Sequence, residues 1–137
     1  RSTLFPYTTL FRSSIVKGEI PCYKIAEDDR FFAFLDISPL AKGHTLVITK
    51  LQNDYIFDLD DKMLGDMMVF AKKVATAMKK VLPCQRIGVA VIGIDVPHNH
   101  IHLVPINGVG DLDFKAPRVQ LTKEEFAEIA AKISAAI

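Results

Sequence analysis

The strongest periodicity in the chain runs from residue 58 to residue 82. Leu64, Met67, Met68, Ala71, Val74, Ala75, Met78, Val81 and Leu82 recur at steps of three and four. That repeat gathers apolar side chains on one stripe of a helix. Asp58 or Asp60 can cap its start, Asp61 suits the positive end of the helix dipole, and Pro83 stops it. Lys72, Lys73, Lys79 and Lys80 take other faces and the C-terminal end. The methionines fall on the apolar stripe, so they read as core rather than as soft-metal ligands. A second helix is predicted near the C-terminus. There Thr122-Lys123-Glu124-Glu125 forms a capping box, and Phe126, Ile129, Ala130 and Ile133 turn inward.

Most of the remaining chain reads as strands. Residues 23–27 and 30–36 are short apolar runs split by Asp28-Asp29, which predicts an antiparallel hairpin. Residues 44–49 are β-rich and make a third strand. Residues 86–92 are almost continuously apolar, which predicts a strand buried on both faces. Residues 93–97 turn the chain, and residues 98–104 form a fifth strand closed by Pro105. Residues 107–111 read as a flexible loop, and residues 14–21 as a turn of helix ended by Gly18 and Pro21. Strands and helices do not alternate as βαβ units. The expected class is therefore α+β, a five-stranded, mainly antiparallel sheet with one long helix and a C-terminal helix.

Composition narrows the picture. The chain has 137 residues, half of them hydrophobic (50%), enough for the core of one domain. Lys plus Arg number 17 against 16 Asp plus Glu, a net charge of +1. No nucleic-acid partner is expected from that balance. No apolar run approaches the ~20 residues of a membrane helix, so no membrane partner is expected. Cys22 and Cys84 form no Cys-x-x-Cys pair and no disulfide framework; they are read as reduced, which favours the cytoplasm. Residues 3–13 read TLFPYTTLFRS. This looks like the translation of a sequencing-library adapter. Residues 1–13 are expected to be an artefact outside the fold, and the domain to span residues 14–137.

The candidate chemistry lies in His98-Asn99-His100-Ile101-His102-Leu103-Val104-Pro105, which holds three of the four histidines at a spacing of two. On a strand, His98, His100 and His102 would share one face, with Asn99, Ile101 and Leu103 on the other. Imidazole, with a pKa near ~6.5, suits proton traffic and nucleophilic attack at neutral pH. The residues alone leave alternatives open. A histidine on a sheet can be structural. His-x-His can also place two nitrogens on a zinc, with Asp95, Asp36 or His44 as a further ligand.

The stretch Gly93-Ile94-Asp95-Val96-Pro97 followed by these histidines resembles the signature of the histidine-triad (HIT) family, His-φ-His-φ-His-φ-φ with φ apolar. Phe34-Leu35-Asp36-Ile37-Ser38-Pro39 and Gly43-His44-Thr45-Leu46-Val47-Ile48 resemble the family's other block. There an aspartate follows the hairpin and a fourth histidine opens the next strand. The resemblance covers about residues 15–105 and is closest to the small bacterial, Hint-like branch.

The resemblance implies a HIT-like fold and a nucleotide phosphoramidase or hydrolase. His100 would attack the α-phosphate of a purine nucleotide conjugate and form a nucleotidyl-histidine intermediate. Covalent catalysis splits one hard displacement at an anionic phosphorus into two easier ones. The other ring nitrogen of His100 would donate to the carbonyl of His98. His98 and His44 would form a supporting hydrogen-bonded pair. His102 would stabilise charge on the phosphate, and either His102 or Asp95 would protonate the leaving group. Asp36 would grip both ribose hydroxyls, although an aspartate at a hairpin end can simply make a turn. Phe34, Leu35, Ile37 and Ile15 would line a slot for the base. The resemblance further implies a homodimer, joined through the long helix and the strand at residues 86–92. Two alternatives stand beside this function: a dinucleoside polyphosphate hydrolase of the same fold, and a nucleotide-binding module with little turnover.

The chain departs from the family pattern in several places. Ile94 stands where a phosphate-contacting Gln is common, and Asp95 where Ser or Glu is. Asn99 replaces an apolar residue and needs a polar partner or solvent. Thr49 replaces a common Pro, and Gln52 a common His. Some bacterial relatives hold a structural zinc on an N-terminal Cys-x-x-Cys and histidines. Gln52 removes one such ligand, so neither metal nor cofactor is expected.

Overall fold

Asp28 reverses the chain into the first hairpin. Its Oδ1 accepts from the backbone N–H groups of Arg30 and Phe31, both at 2.8 Å. This local bond turns β1 (Lys24–Glu27) into β2 (Phe31–Leu35). The computed structural model describes residues 22–137. The N-terminal stretch 1–13, the helical turn expected over 14–21 and the candidate Ile15 lie outside the described residues.

Strand β3 (Thr45–Thr49) pairs antiparallel with β2, and β5 (His100–Ile106) pairs antiparallel with β3. Strand β4 (Arg86–Ala90) pairs antiparallel with the far side of β5. The sheet has five strands in the order β1-β2-β3-β5-β4. With two helices beside it, this is the α+β architecture expected.

Alternation along the strands divides the residues between two faces. Ala33, Leu35, Val47, Ile101 and Leu103 pack into one core with helices α1 (Asp61–Val81) and α2 (Lys123–Ala135). Phe32, Phe34, Leu46 and Ile48 form a second cluster, against which Cys22 packs. His100 stands opposite Ile48 and His102 opposite Leu46. Both histidines therefore belong to the face without the helices.

Asp60 caps α1 through a 2.7 Å bond from the backbone N–H of Met63. Met67, Phe70, Ala71, Val74, Ala77 and Met78 are its buried residues. Met68, expected on the stripe, is 48% exposed. It follows Met67 by about 100° around the helix and falls off the buried side. At α2 the expected capping box forms: the Thr122 hydroxyl accepts from the Glu125 N–H at 3.1 Å, and the Glu125 carboxylate accepts from the Thr122 N–H at 2.9 Å. Phe126, Ile129, Ala130 and Ile133 are buried, and Phe126 stacks on Tyr23.

Two strands differ from expectation. Strand β4 is not buried on both faces. Among the described residues only β5 pairs with it, which makes it an edge of the described sheet, and Val89, Val91 and Ile92 in and after it are 40–49% exposed. Strand β5 is not closed by Pro105 but runs through it. Strand β3 begins at Thr45, opposite Leu103, so at Pro105 the β5 backbone has a strand on one side only. A residue without an N–H is tolerated at such a position. No helix among the described residues is long and apolar enough to cross a membrane.

Candidate active site

His100 sits at the start of β5, and its Nδ1 lies 2.8 Å from the carbonyl oxygen of His98. A carbonyl only accepts, so in the neutral ring Nδ1 holds the proton and Nε2 keeps its lone pair. The ring is thereby set as a base or nucleophile through Nε2. His98, just before the strand, directs its Nε2 at the carbonyl of Thr49, 2.8 Å away. That contact likewise places the His98 proton on Nε2.

The expected His98–His44 pair does not form. The Nε2 of His44 lies 3.0 Å from Nδ1 of His102 instead. The antiparallel register is the reason. Ile48 faces His100 and Leu46 faces His102, so the residue preceding β3 falls beside the C-terminal half of β5. His98 falls at the other end, beside Thr49.

Partner chemistry also fixes the protons of the His44–His102 pair. The Leu40 backbone N–H donates to Nδ1 of His44 at 3.0 Å. Burial, reinforced by the charge of Arg118 and by His100 when that ring is protonated, pushes the His44 pKa from its ordinary 6.5 down to about 3. His44 is therefore neutral, with its proton on Nε2, and it donates to His102. His102 accepts at Nδ1, so its own proton is on Nε2.

Asp36 follows β2 and is buried. Its Oδ1 accepts from the Ser38 N–H at 2.8 Å, and its Oδ2 lies 3.7 Å from Nε2 of His44. Asp36, His44 and His102 thus offer ligand atoms within 4.8 Å of one another, the geometry of a possible metal trio. The proton on Nε2 of His44 stands in its way. A metal there would have to displace that proton, with the other ring nitrogen already accepting from Leu40. The donor set fits a hydrogen-bonded chain better than a ligand set.

The other candidates are divided by the sheet. Phe34 is buried on the histidine face. Leu35 is not on that face. Strand alternation turns it into the helix-covered core, so it is removed from the apolar slot. Ile37 is 40% exposed beyond the strand end. Asp95 is exposed and lines a cavity with His100. Asn99 has the polar partners it needs: its amide donates to Thr49 Oγ1 at 2.7 Å and to the carbonyl oxygen of Asn53 at 3.1 Å.

His100 forms part of the wall of two cavities. One, about 240 Å³, runs along residues 92–96 to Phe114, Lys115 and Arg118. The other, about 310 Å³, is bounded by residues 54–57 and 91–94 and includes Tyr55 and Phe57. Sequence reasoning missed all five of these side chains. Phe114 packs edge-on against His102, with ring centroids 4.6 Å apart. No periodicity marks residues 112–121, so nothing local shows that this stretch returns over the histidines.

Comparisons with known proteins bear on the family and the fold. The HIT domain profile matches residues 17–108. The adenosine 5'-monophosphoramidase of Saccharomyces cerevisiae is 42% identical over 95 residues, 66% of this chain and 58% of that protein. Its counterpart in Schizosaccharomyces pombe is 36% identical over 126 residues, 90% of this chain and 94% of that protein. Among solved structures, a Hit-like protein from Bartonella henselae superposes with a TM-score of 0.79 at 32% identity, covering 90% of this chain and 93% of that one.

Proposed function

Because the chain belongs to the HIT domain family, we propose that it is a nucleotide phosphoramidase acting on purine nucleotide conjugates through a nucleotidyl-histidine intermediate. One observation carries the reading above the others. The 2.8 Å contact between His100 Nδ1 and the His98 carbonyl puts the lone pair of the neutral ring on Nε2, on a residue that lines both cavities. The names of the two yeast relatives support the substrate class.

In this reading Nε2 of His100 attacks the α-phosphorus, a P–N bond to the enzyme forms, and the bond to the leaving group breaks. Water then attacks the same phosphorus, the P–N bond breaks, and the electron pair returns to Nε2. His102 offers its Nε2–H as a hydrogen bond to the phosphoryl oxygens. It is a poor acid, since His44 donates to its other nitrogen and loss of the proton would leave an imidazolate. The leaving group takes its proton instead from solvent entering on the side of the cavity where Asp95 stands, and the attacking water returns a proton to solvent the same way. Phe34 and Ile37 serve the base. Asp36 holds the ribose hydroxyls, for which its carboxylate turns away from His44.

A homodimer belongs to the same reading. Among the described residues strand β4 presents an unpaired edge with exposed Val89, Val91 and Ile92, the kind of edge that a second copy covers. The unpaired Cys22 and Cys84 suit a cytoplasmic setting.

His100→Ala tests the function. It is expected to abolish hydrolysis of adenosine phosphoramidate while AMP still binds. Hydrolysis at the wild-type rate by the variant overturns the reading. Faster turnover of diadenosine polyphosphates than of the phosphoramidate by the wild-type protein would move the activity to the dinucleotide class.

A further inference from the structure

The segment after β5 brings a cation to the nucleophile. The Val119 N–H donates to the Pro39 carbonyl at 2.9 Å, which ties residues 112–121 to the loop that follows β2. Arg118 Nη1 donates to the Ser38 carbonyl at 3.0 Å, and Nη2 to the Phe114 carbonyl at 3.1 Å. The guanidinium carbon also lies 5.8 Å from the centre of the Phe114 ring. These contacts orient the side chain without neutralising it. Among the described residues no carboxylate pairs with Arg118, and its buried Nε has no hydrogen-bond partner.

Arg118 forms part of the wall of the 240 Å³ cavity that His100 enters. The neighbouring Ile92, Ile94, Val96 and Phe114 side chains carry no hydrogen-bond donor, and a carboxylate such as that of Asp95 offers acceptors. Apart from His100, the side-chain donors lining the cavity among the described residues are Arg118 and the exposed Lys115. A held guanidinium with part of its fork uncommitted matches the oxygens of a phosphoryl group. Charge growing on those oxygens during attack is best met by donors already in place.

We propose that Arg118 is a catalytic residue, forming with Lys115 an anion subsite that receives the phosphoryl oxygens of the group attacked by His100. The proposal rests on the reading of His100 as nucleophile. Arg118 gives the phosphate a fixed cation that no histidine of the triad supplies, since its charge does not depend on pH in the working range.

Calorimetric binding of AMP and of adenosine separates phosphate contact from nucleoside contact. Arg118→Gln is expected to weaken AMP roughly ten- to a hundredfold and to leave adenosine unchanged. Arg118→Lys, which keeps charge without the fork, should fall between. The rate of nucleotidyl transfer to His100 should drop in the same order. An unchanged ratio of AMP to adenosine affinity in Arg118→Gln overturns the subsite. So does an equal loss of both ligands, which would make Arg118 a strut for the segment. Wild-type protein that binds adenosine but discriminates neither for nor against AMP, and forms no adduct, removes the His100 reading as well.

Discussion

Histidine protons are set here by what each ring nitrogen faces. A carbonyl fixes His100, a backbone N–H fixes His44, and His44 in turn fixes His102. If His102 serves as a hydrogen-bond donor and not as an acid, an amide can partly replace it. His102→Gln should then retain clearly more activity than His102→Ala, whose loss is expected to be about a hundredfold or more. Equal loss in a steady-state assay would return His102 to the role of acid. His44 also makes the fold sensitive to acid. Its folded pKa of about 3 lies below the ordinary 6.5, so between these values the unfolded chain binds a proton that the folded protein does not. This contribution to stability is complete above pH 6.5 and is lost as the pH falls towards 3, at up to about 1.4 kcal/mol per pH unit. Denaturant titrations of wild type and His44→Gln across that range should show a shallower slope in the variant; parallel slopes would contradict the assignment. The sequence showed the four histidines and the strand face that His100 and His102 share. It did not show which pairs with which, because that depends on the register between strands 50 residues or more apart, as the Leu46–His102 pairing illustrates.

At the scale of elements, local chemistry was the legible part. The caps at Asp60 and Thr122 bond within three residues of themselves, so their spacing is visible in the chain. Asp60→Ala should cost about 1 kcal/mol in a denaturant midpoint comparison, the usual loss for a helix cap. Gly43 carries a requirement that the sequence only hinted at. It has a φ of +99°, and a Cβ there would collide with Leu82 Cδ1. Gly43→Ala is therefore strained by its backbone as well as crowded. It should destabilise the protein by more than about 1 kcal/mol and disturb the neighbouring His44. A melting curve unchanged by this substitution would show that the loop relaxes freely. The boundaries that went astray, β4 as an interior strand and β5 as ending at Pro105, depend on strand order. An apolar run such as residues 86–92 looks the same at the middle of a sheet and at an edge awaiting a partner.

For the whole molecule, the sheet acts as a divider. Two helices and a large apolar core occupy one side; the histidines, Asp36 and the returning segment with Phe114 and Arg118 occupy the other. The class of fold and the family block were readable from pattern and resemblance, whereas the cover over the site was not, since residues 112–121 lack any repeat. The exposed β4 edge also sets an expectation for assembly. Val89→Glu, on a side chain 48% exposed, should convert a dimer into a monomer in light scattering while leaving the monomer folded; a monomeric wild type would remove the dimer from the account.

The central proposal is that one ring nitrogen forms a bond to phosphorus, and rapid quenching during turnover of adenosine phosphoramidate tests it most directly. Mass spectrometry of the digested protein should find an acid-labile nucleotidyl group on the peptide containing His100, located at that ring. Steady turnover with no adduct at any time, or an adduct confined to a different side chain, would contradict it.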